Sequence, residues 1–568
     1  MLDCVTMRMI PVRLWGLAVL SGVLQVLPFP IAGPVPIWRT ALCWVALAPL
    51  LTALIGKDAS GQPLRAIEGA ALGYGSGFIW YLGNCYWIYR TMHFYGGLSK
   101  PVAAGILALF CLYLGLYHAL FGALIAALRR GRLGVQGALL LSPFAWVAVE
   151  LARARITSFP WDPLGITQVD NALLTRLAPW TGAYGLSFAI AGVNALWLTR
   201  ITLKERRFTR VLLTASGVAI IFLYFVFARR AQTPVRDGTS AIATLVQENI
   251  EVGAANTGPQ LTIPQELEAY SRLSLHPGTT YCLGMPELAS TKCIRVTPVE
   301  ATSPNVLSAP APTDMIVWPE APNDFYEIDP PLRATTSSLE FRAAISNLAR
   351  AANAPVIVGD AAFDADLEVQ RGYDQYNSAS FVALGGSFVG RYDKMHLVPF
   401  GEYTPYKRLF FFAGSLLQDV GLFDPGKRRT VFATGGHTYG TFICYESVFA
   451  DEMRQYADMG ADVLVNISDD GWYGDTSAAW EHLNMVRMRA IENHRWVLRA
   501  TNTGVTAAID PYGRVVMAAP RHIRTSLRVG FDYEHDVTFY AAHGDLFAYF
   551  CALVTIAGLG FSWLHREA

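Results

Sequence analysis

Residues 430–474 read TVFATGGHTYGTFICYESVFADEMRQYADMGADVLVNISDDGWYG. Two short apolar runs, Thr430–Ala433 and Thr438–Cys444, are separated by the turn signal Gly435-Gly436 and read as strands. Ser447–Gly460 is an amphipathic stretch of ordinary helix length, and Asp462–Ile467 is again a short apolar run. Strand, helix and strand in succession are the pattern of an α/β unit with a buried sheet.

The alternation continues in both directions. Ala241–Gln247, Met315–Trp318, Pro355–Gly359 and Ser380–Leu384 also read as strands, and Ser338–Ala352 and Ser477–Trp496 as amphipathic helices. Residues 237–535 therefore form one α/β domain. Two stretches break the pattern. Residues 251–313 are rich in Pro, Ser and Thr and poorly periodic, and read as an insertion or mobile loop. Leu409-Phe410-Phe411-Phe412, Leu416-Leu417 and Leu422-Phe423 form an apolar cluster, read either as half-buried core or as an arm dipping into a lipid leaflet.

The remainder is of a different nature. The chain of 568 residues is 52% hydrophobic and 16% charged, against about 25% charged in ordinary soluble proteins. Of 45 Lys and Arg, 21 precede residue 237, but only 7 of 45 Asp and Glu do. Apolar runs of about 20 residues, the length of a membrane-spanning helix, cover 13–30, 38–56, 68–90, 101–128, 134–151, 177–199, 210–228 and 544–564. Seven spans in residues 1–236 thus precede the α/β domain and one, in residues 536–568, follows it. One set of connecting loops holds thirteen Lys and Arg and the alternate set six, leaving out the long segment after the seventh run. That bias places both termini in the cytoplasm and residues 237–535 outside. Disorder, a collagen-like chain and a single small domain are excluded, and basic residues scattered between apolar runs do not suit nucleic acid. Cys282 and Cys293 could close a disulfide in an exported domain or remain free thiols. No zinc-ligand spacing is present.

Three reactive groups stand at or near the ends of predicted strands: Glu320 in Trp318-Pro319-Glu320, Lys394 in Tyr392-Asp393-Lys394, and Cys444 in Ile443-Cys444-Tyr445-Glu446. Open α/β sheets place their sites there. Converging, they would make an activated thiol: Glu320 takes its proton, Lys394 stabilises thiolate and oxyanion, and Cys444 attacks a carbonyl. Taken singly, a Cys before a helix is commonly a small buried hydrophobe and a Lys is commonly solvated.

The segments WPE (318–320), YDKMHLVPFGEY (392–403), ICYE (443–446), NISDDGWYG (466–474) and RATNTGVTAAIDPYG (499–513) resemble the nitrilase, or carbon-nitrogen hydrolase, superfamily. With seven spans plus one, and with Phe159-Pro160-Trp161 and Tyr184-Gly185-Leu186 in the membrane part, the chain resembles the apolipoprotein N-acyltransferase family of the bacterial inner membrane. The resemblance implies an extracytoplasmic αββα sandwich carried by an eight-span membrane domain. It implies Glu320 as general base, Lys394 as transition-state stabiliser, Cys444 as nucleophile and Glu402 as a second glutamate orienting the lysine. Trp318, Tyr445, Glu446 and Trp472 would shape the pocket. The implied reaction passes an acyl chain from a phospholipid, phosphatidylethanolamine foremost, through a Cys444 thioester to the α-amino group of a diacylglyceryl-cysteine lipoprotein, with no metal or organic cofactor. Nothing requires more than a monomer. The chain departs from the family at Glu248, where Gly is commoner, and at Asp469, which replaces an Asn.

Two other readings share these residues: a membrane-tethered amidase acting on a small amide, and a scaffold without chemistry. The Asn466-Ile467-Ser468 sequon falls on a predicted strand and reads as sheet, and His482 and His494 lack ligand spacing.

Overall fold

A computed structural model describes residues 9–202, 239–250, 252, 262–277, 310–320, 336–366, 372–399, 401–403 and 423–564. The apolar first part is helical. α1 (Val12–Val26) is followed by the broken series α2 (Ile37–Thr40), α3 (Cys43–Ala46) and α4 (Ala48–Leu54). Then come α5 (Ala66–Asn84), α6 (Trp87–Arg90) with a π-helical turn at Thr91–Tyr95, α7 (Lys100–Arg130) and α8 (Gly134–Ile156). α9 (Ala178–Thr181) and α10 (Ala183–Thr202) complete it, and α15 (Leu546–Leu564) returns at the far end of the chain. Among the described residues, four helical stretches are long and apolar enough to cross a membrane: Ile37–Leu54, Lys100–Arg130, Gly134–Ile156 and Leu546–Trp563. The expected span at 210–228, with Cys282, Cys293 and the apolar run from Leu409 to Leu422, lies outside the described residues.

These helices bury small and polar groups and expose apolar ones. Leu109, Leu116, Leu140, Leu553, Ile556 and Trp563 each expose more than half of their surface, which suits a lipid neighbour rather than water. Inside, α5 and α7 approach backbone to backbone: a Cβ on Gly69 or Gly73 would strike the Gly122 or His118 carbonyl, the close contact that small residues permit in membrane bundles. Pro143 is accommodated within α8. Glu150, the charge expected at the end of that run, accepts Trp146 Nε1 at 2.9 Å and the Leu164 N–H at 2.8 Å.

The second part is a sandwich of two six-stranded sheets. The first has the order β12 (Thr525–Phe531), β1 (Ala241–Gln247), β2 (Met315–Val317), β3 (Val356–Ala365), β4 (Tyr373–Val382), β5 (Phe388–Asp393). The second has β11 (Val515–Ala518), β10 (Ala507–Ile509), β9 (Trp496–Thr501), β8 (Val463–Ser468), β7 (His437–Ile443), β6 (Val431–Thr434). Inward-facing residues of both, such as Leu245, Val317, Phe381, Val465 and Leu498, form one buried core. α11 (Ile263–Leu275) and α12 (Thr336–Ala352) cover the first sheet. α13 (Ala450–Asp458) and α14 (Ala478–Asn493) pack against the second. This is the layered α/β sandwich expected from the alternation, with every anticipated strand and helix present. β5 and β9 to β12 are additional. Asn466 is buried in β8, as its sequon context required.

Within residues 251–313, expected as an insertion or mobile loop, the described part holds a helix, α11, started by a capping box in which the Thr262 N–H donates to Gln265 Oε1 at 2.9 Å, while residues 251, 253–261 and 278–309 lie outside the described residues. Thr262-Ile-Pro-Gln265 is a legible start signal, and Leu267, Tyr270 and Leu273 bury the helix's inner face.

The two parts share a core. Tyr445, Val448, Phe449, Tyr473, Met485, Met488 and Ile491 of the sandwich pack in one cluster with residues of the helical part. α14 is the main contact. It is buried along nearly its whole length although it carries Glu481, His482, Arg487, Arg489 and Glu492, so each of these charges needs a partner. Glu492 accepts the Ala183 N–H at 2.9 Å, Arg489 pairs with Glu492 at 2.7 Å, and Arg487 pairs with Asp170 of the loop after α8.

Candidate active site

Strand direction brings the reactive groups to one edge. β2 and β3 run parallel, β3 to β4 and β4 to β5 antiparallel, so β2 and β5 end on the same side. Glu320 lies three residues beyond β2 and Lys394 directly beyond β5. In the facing sheet β7 and β8 are parallel with Ile443 opposite Ile467, which sets Cys444 beside Ser468 where both strands end.

Cys444 opens a 3-10 turn, Cys444–Val448, and has φ +49°. A non-glycine residue in the left-handed region costs about 1–3 kcal/mol and persists only where its surroundings hold it. Here Glu446 does so: its carboxylate accepts the Ile443 N–H at 2.8 Å, the Met395 N–H at 2.7 Å and the Tyr392 hydroxyl at 2.6 Å. One carboxylate thus ties the cysteine turn to the segment carrying Lys394.

Lys394 is 1% exposed. Its Nζ donates to Glu320 Oε1 at 3.1 Å and to Glu402 Oε1 at 2.8 Å. Asn377 of β4 donates Nδ2 to the same two oxygens, at 2.7 Å each. The remaining oxygens are also engaged, Glu320 Oε2 by the Asp469 N–H at 2.8 Å and Glu402 Oε2 by the Val398 N–H at 2.7 Å. Neither Asn377 nor the Asp469 backbone was singled out by sequence, since an amide in mid-strand carries no local signal.

The electrostatics follow. Burial would lower the Lys394 ammonium, but Glu320, Glu402 and the Cys444 sulfur hold it well above its usual range. Burial would raise Glu320, but Lys394, Asn377 and the Asp469 N–H together hold it below. Burial and the Glu320 charge keep the Cys444 thiol well above its usual value, with Lys394 opposing. The resting site is therefore a carboxylate and an ammonium beside a neutral thiol.

Beneath the turn, His482 Nε2 lies 3.0 Å from the Cys444 carbonyl oxygen and 2.6 Å from Ser447 Oγ, with Nδ1 2.9 Å from Asp470 Oδ1. Burial would raise Asp470, but Arg499 at 2.6 Å and His482 hold it well below the carboxylate range.

Of the other expected pocket residues, Tyr445 turns toward the helical part, its hydroxyl donating to the Ser158 carbonyl at 3.1 Å. Trp472 is half-buried, and its carbonyl accepts Thr91 Oγ1 at 2.9 Å from the π-helical turn. Trp318 is a correction: it does not face this site. Side chains alternate along β2, so Met315 and Val317 enter the core between the sheets while Ile316 and Trp318 pack under the helices. There Trp318 stacks on Tyr270 at 4.5 Å and donates Nε1 to Ser274 Oγ at 2.9 Å.

Next to the site, the Phe423 N–H donates to the Glu402 carbonyl at 3.1 Å. Among the described residues one trio, His494, Glu534 and Asp536, has the spacing to hold a cation. It is far from a built site, since Asp536 is exposed and already pairs with His494 at 2.8 Å.

A buried thiol, a charged lysine and two oriented carboxylates are equipped for acyl transfer through a covalent intermediate. Both parts of the chain are similar to known proteins. A carbon-nitrogen hydrolase model matches residues 289–530, and a model of the apolipoprotein N-acyltransferase N-terminal domain matches residues 21–196. The apolipoprotein N-acyltransferase of Geobacter metallireducens is 34% identical over 97% of this chain and 96% of its own length. That of Methylococcus capsulatus is 32% identical over 92% and 93%. Among solved structures, an amidase from Nesterenkonia sp. is 15% identical, covering 56% of this chain and 99% of that chain with a TM-score of 0.35.

Proposed function

The chain belongs to the apolipoprotein N-acyltransferase family, and on that premise we propose that Glu320, Lys394 and Cys444 carry out its lipoprotein N-acylation in two half-reactions. Cys444 Sγ attacks the ester carbonyl of a phospholipid acyl chain, phosphatidylethanolamine foremost, and Glu320 receives the thiol proton. Lys394 and the Tyr445 N–H stabilise the tetrahedral oxyanion. The C–O bond breaks, the lysophospholipid leaves with the proton from Glu320, and a thioester remains. The α-amine of the diacylglyceryl-cysteine then attacks the thioester. Glu320, helped by Glu402, takes the amine proton and returns it to the leaving sulfur, leaving an amide.

The observation that supports this most is Lys394 held between Glu320 and Glu402 beside a thiol on a strained turn. Further support comes from the shared core, which keeps the site against the helical part, where an amine can outcompete water. We place residues 1–236 and 536–568 in the bacterial inner membrane, with eight spans, and residues 237–535 on the periplasmic face, working as a monomer. The distribution of Lys and Arg in the connecting loops supports this orientation.

The test is the intact mass of the detergent-purified protein after incubation with phosphatidylethanolamine. An acyl adduct removed by hydroxylamine and absent from Cys444→Ser is expected. A folded protein without such an adduct would overturn the reading and favour an amidase or a scaffold.

A further inference from the structure

Under the cysteine turn lies a group that the proposed reaction leaves unused. His482 of α14 is 0% exposed and meets the turn twice, with Nε2 3.0 Å from the Cys444 carbonyl oxygen and 2.6 Å from Ser447 Oγ. Its Nδ1 is 2.9 Å from Asp470 Oδ1, and Asp470 pairs with Arg499 at 2.6 Å. Serine, histidine and aspartate so arranged have the spacing of a nucleophilic triad. Ser447 is 0% exposed, however, as are Asp470 and Arg499, so no substrate reaches that hydroxyl. The network is turned instead toward the peptide bond that follows the nucleophile.

The ring is held from several sides. Trp161, in the loop after α8, stacks on it at 6.0 Å, and Tyr473 meets it edge-on at 6.0 Å. Arg499 of β9 also donates to Asn466 of β8, whose Nδ2 donates to the Phe442 carbonyl of β7 at 3.3 Å. Three strands, α14 and a loop of the helical part thus fix one imidazole, as a satisfied buried network does.

The consequence lies in peptide geometry. The Cys444 carbonyl and the Tyr445 N–H belong to one planar trans unit and point in opposite directions. A carbonyl fixed toward His482 therefore aims the N–H away from it. Tyr445 is the second residue of the 3-10 turn, ahead of the turn's first i→i−3 bond, so its N–H has no carbonyl within the turn to satisfy it. It is the same N–H that receives the oxyanion in the proposed reaction. The carbonyl and the Asp470 carboxylate are both acceptors, so the imidazole engages both with a hydrogen on each nitrogen.

On the thioester reading above, we propose that His482 is a positioning residue, which pins the Cys444 carbonyl through Nε2 and so orients the Tyr445 N–H as oxyanion donor. Asp470 and Arg499 hold the ring for that task. His482 acts through the backbone and takes no proton from the thiol.

Two variants separate this role from a merely structural one. Glutamine carries an N–H to the place of imidazole Nε2, and asparagine to that of Nδ1. His482→Gln thus keeps the carbonyl contact, and His482→Asn the Asp470 contact. Each full-length protein in detergent is treated with two reagents and read by mass on the peptide bearing Cys444. p-Nitrophenyl acetate acylates the sulfur through a tetrahedral oxyanion, whereas iodoacetamide alkylates it by displacing iodide, with no oxyanion. His482→Asn should be acylated about tenfold or more slower than wild type, and His482→Gln within about threefold. Both should be alkylated at the wild-type rate. Equal acylation of the two variants, or the reverse order, would overturn the proposal, as would alkylation falling in step with acylation, the mark of a collapsed turn. Should His482→Asn not fold, His482→Phe, which keeps a ring against Trp161 but no N–H, takes its place with the same expectation. Wild type acylated by p-nitrophenyl acetate but not by phosphatidylethanolamine would overturn the phospholipid reading and leave this comparison intact. Wild type alkylated but acylated by neither would overturn both.

Discussion

Asn377 is the residue whose loss should be felt most for its size. It donates to Glu320 and Glu402 at once, so Asn377→Leu removes two charge-assisted hydrogen bonds and lets both carboxylates shift around Lys394. Loss of one preorganised donor at a reacting centre typically costs about 100-fold or more in rate, and a fall of about that size is expected in the rate of Cys444 acylation, measured by rapid-quench mass spectrometry. Acylation within twofold of wild type would show that Lys394 alone fixes the carboxylates. Asp469 makes the pH dependence testable. Burial and the Glu320 charge raise its carboxyl to about 8, whereas the unfolded value is about 3.9. The folded form holds a proton that the unfolded form releases, so stability is present at low pH and falls as pH rises through about 8. Asp469→Asn should keep the backbone N–H to Glu320 and make melting temperature less dependent on pH over that window. Parallel curves for variant and wild type would exclude this. Glu320 has the opposite sign. Its carboxyl is lowered, so the Lys394 pairing is intact at neutral pH and should fail only in acid, below the ordinary glutamate value of about 4.3.

At the level of elements, the crossing of α5 and α7 depends on the absence of side chains. A Cβ on Gly73 would meet the His118 carbonyl, and one on Gly122 the Gly69 carbonyl. Backbone cannot yield as a flexible side chain can, so Gly73→Val should cost at least the roughly 1–3 kcal/mol of ordinary overpacking. A lowered melting temperature in detergent is the expected result. Gly105, with nothing near its missing Cβ, supplies the control, and Gly105→Val should melt as wild type. Equal melting of the two variants would mean that the helices separate freely. α14 shows what packing does to a sequence pattern. Its period marks it as amphipathic, yet the structure buries both faces, one against the sheet and one against the helical part. Its polar face is an interface of ion pairs.

For the whole molecule, the arrangement predicts sidedness. If residues 237–535 lie outside the membrane, a single cysteine placed at Asp475, which is exposed, should react with an impermeant maleimide added to spheroplasts, while one at Arg132 should react only after lysis. The reverse pattern would invert the orientation. Among the described residues Cys43, Cys85, Cys111, Cys444 and Cys551 are buried, and the experiment is run with Cys4, Cys282 and Cys293 replaced by Ser.

What the chain's own pattern determined is everything that depends on period and composition. The apolar runs, the change at about residue 237 and the strand–helix alternation from Ala241 onward are local quantities, read over a few turns or a few alternations. Glu320, Lys394 and Cys444 could be named because they stand at or near strand ends, and Glu402 because the family resemblance implied it. Trp318 shows the limit: naming a residue in a motif did not say which face of β2 it occupies, although the alternation Met315, Ile316, Val317, Trp318 contained that answer once the inward face was known. α11 was missed because Pro, Ser and Thr composition outweighed its capping box. Only the tertiary structure decided that Asn377 joins two glutamates, that the Asp469 N–H holds a third bond to Glu320, and that Trp161 meets Glu481 across more than three hundred residues of chain. Those contacts arise from strand pairing and from the requirement that buried polar groups find partners, and neither condition is written in any local stretch of sequence.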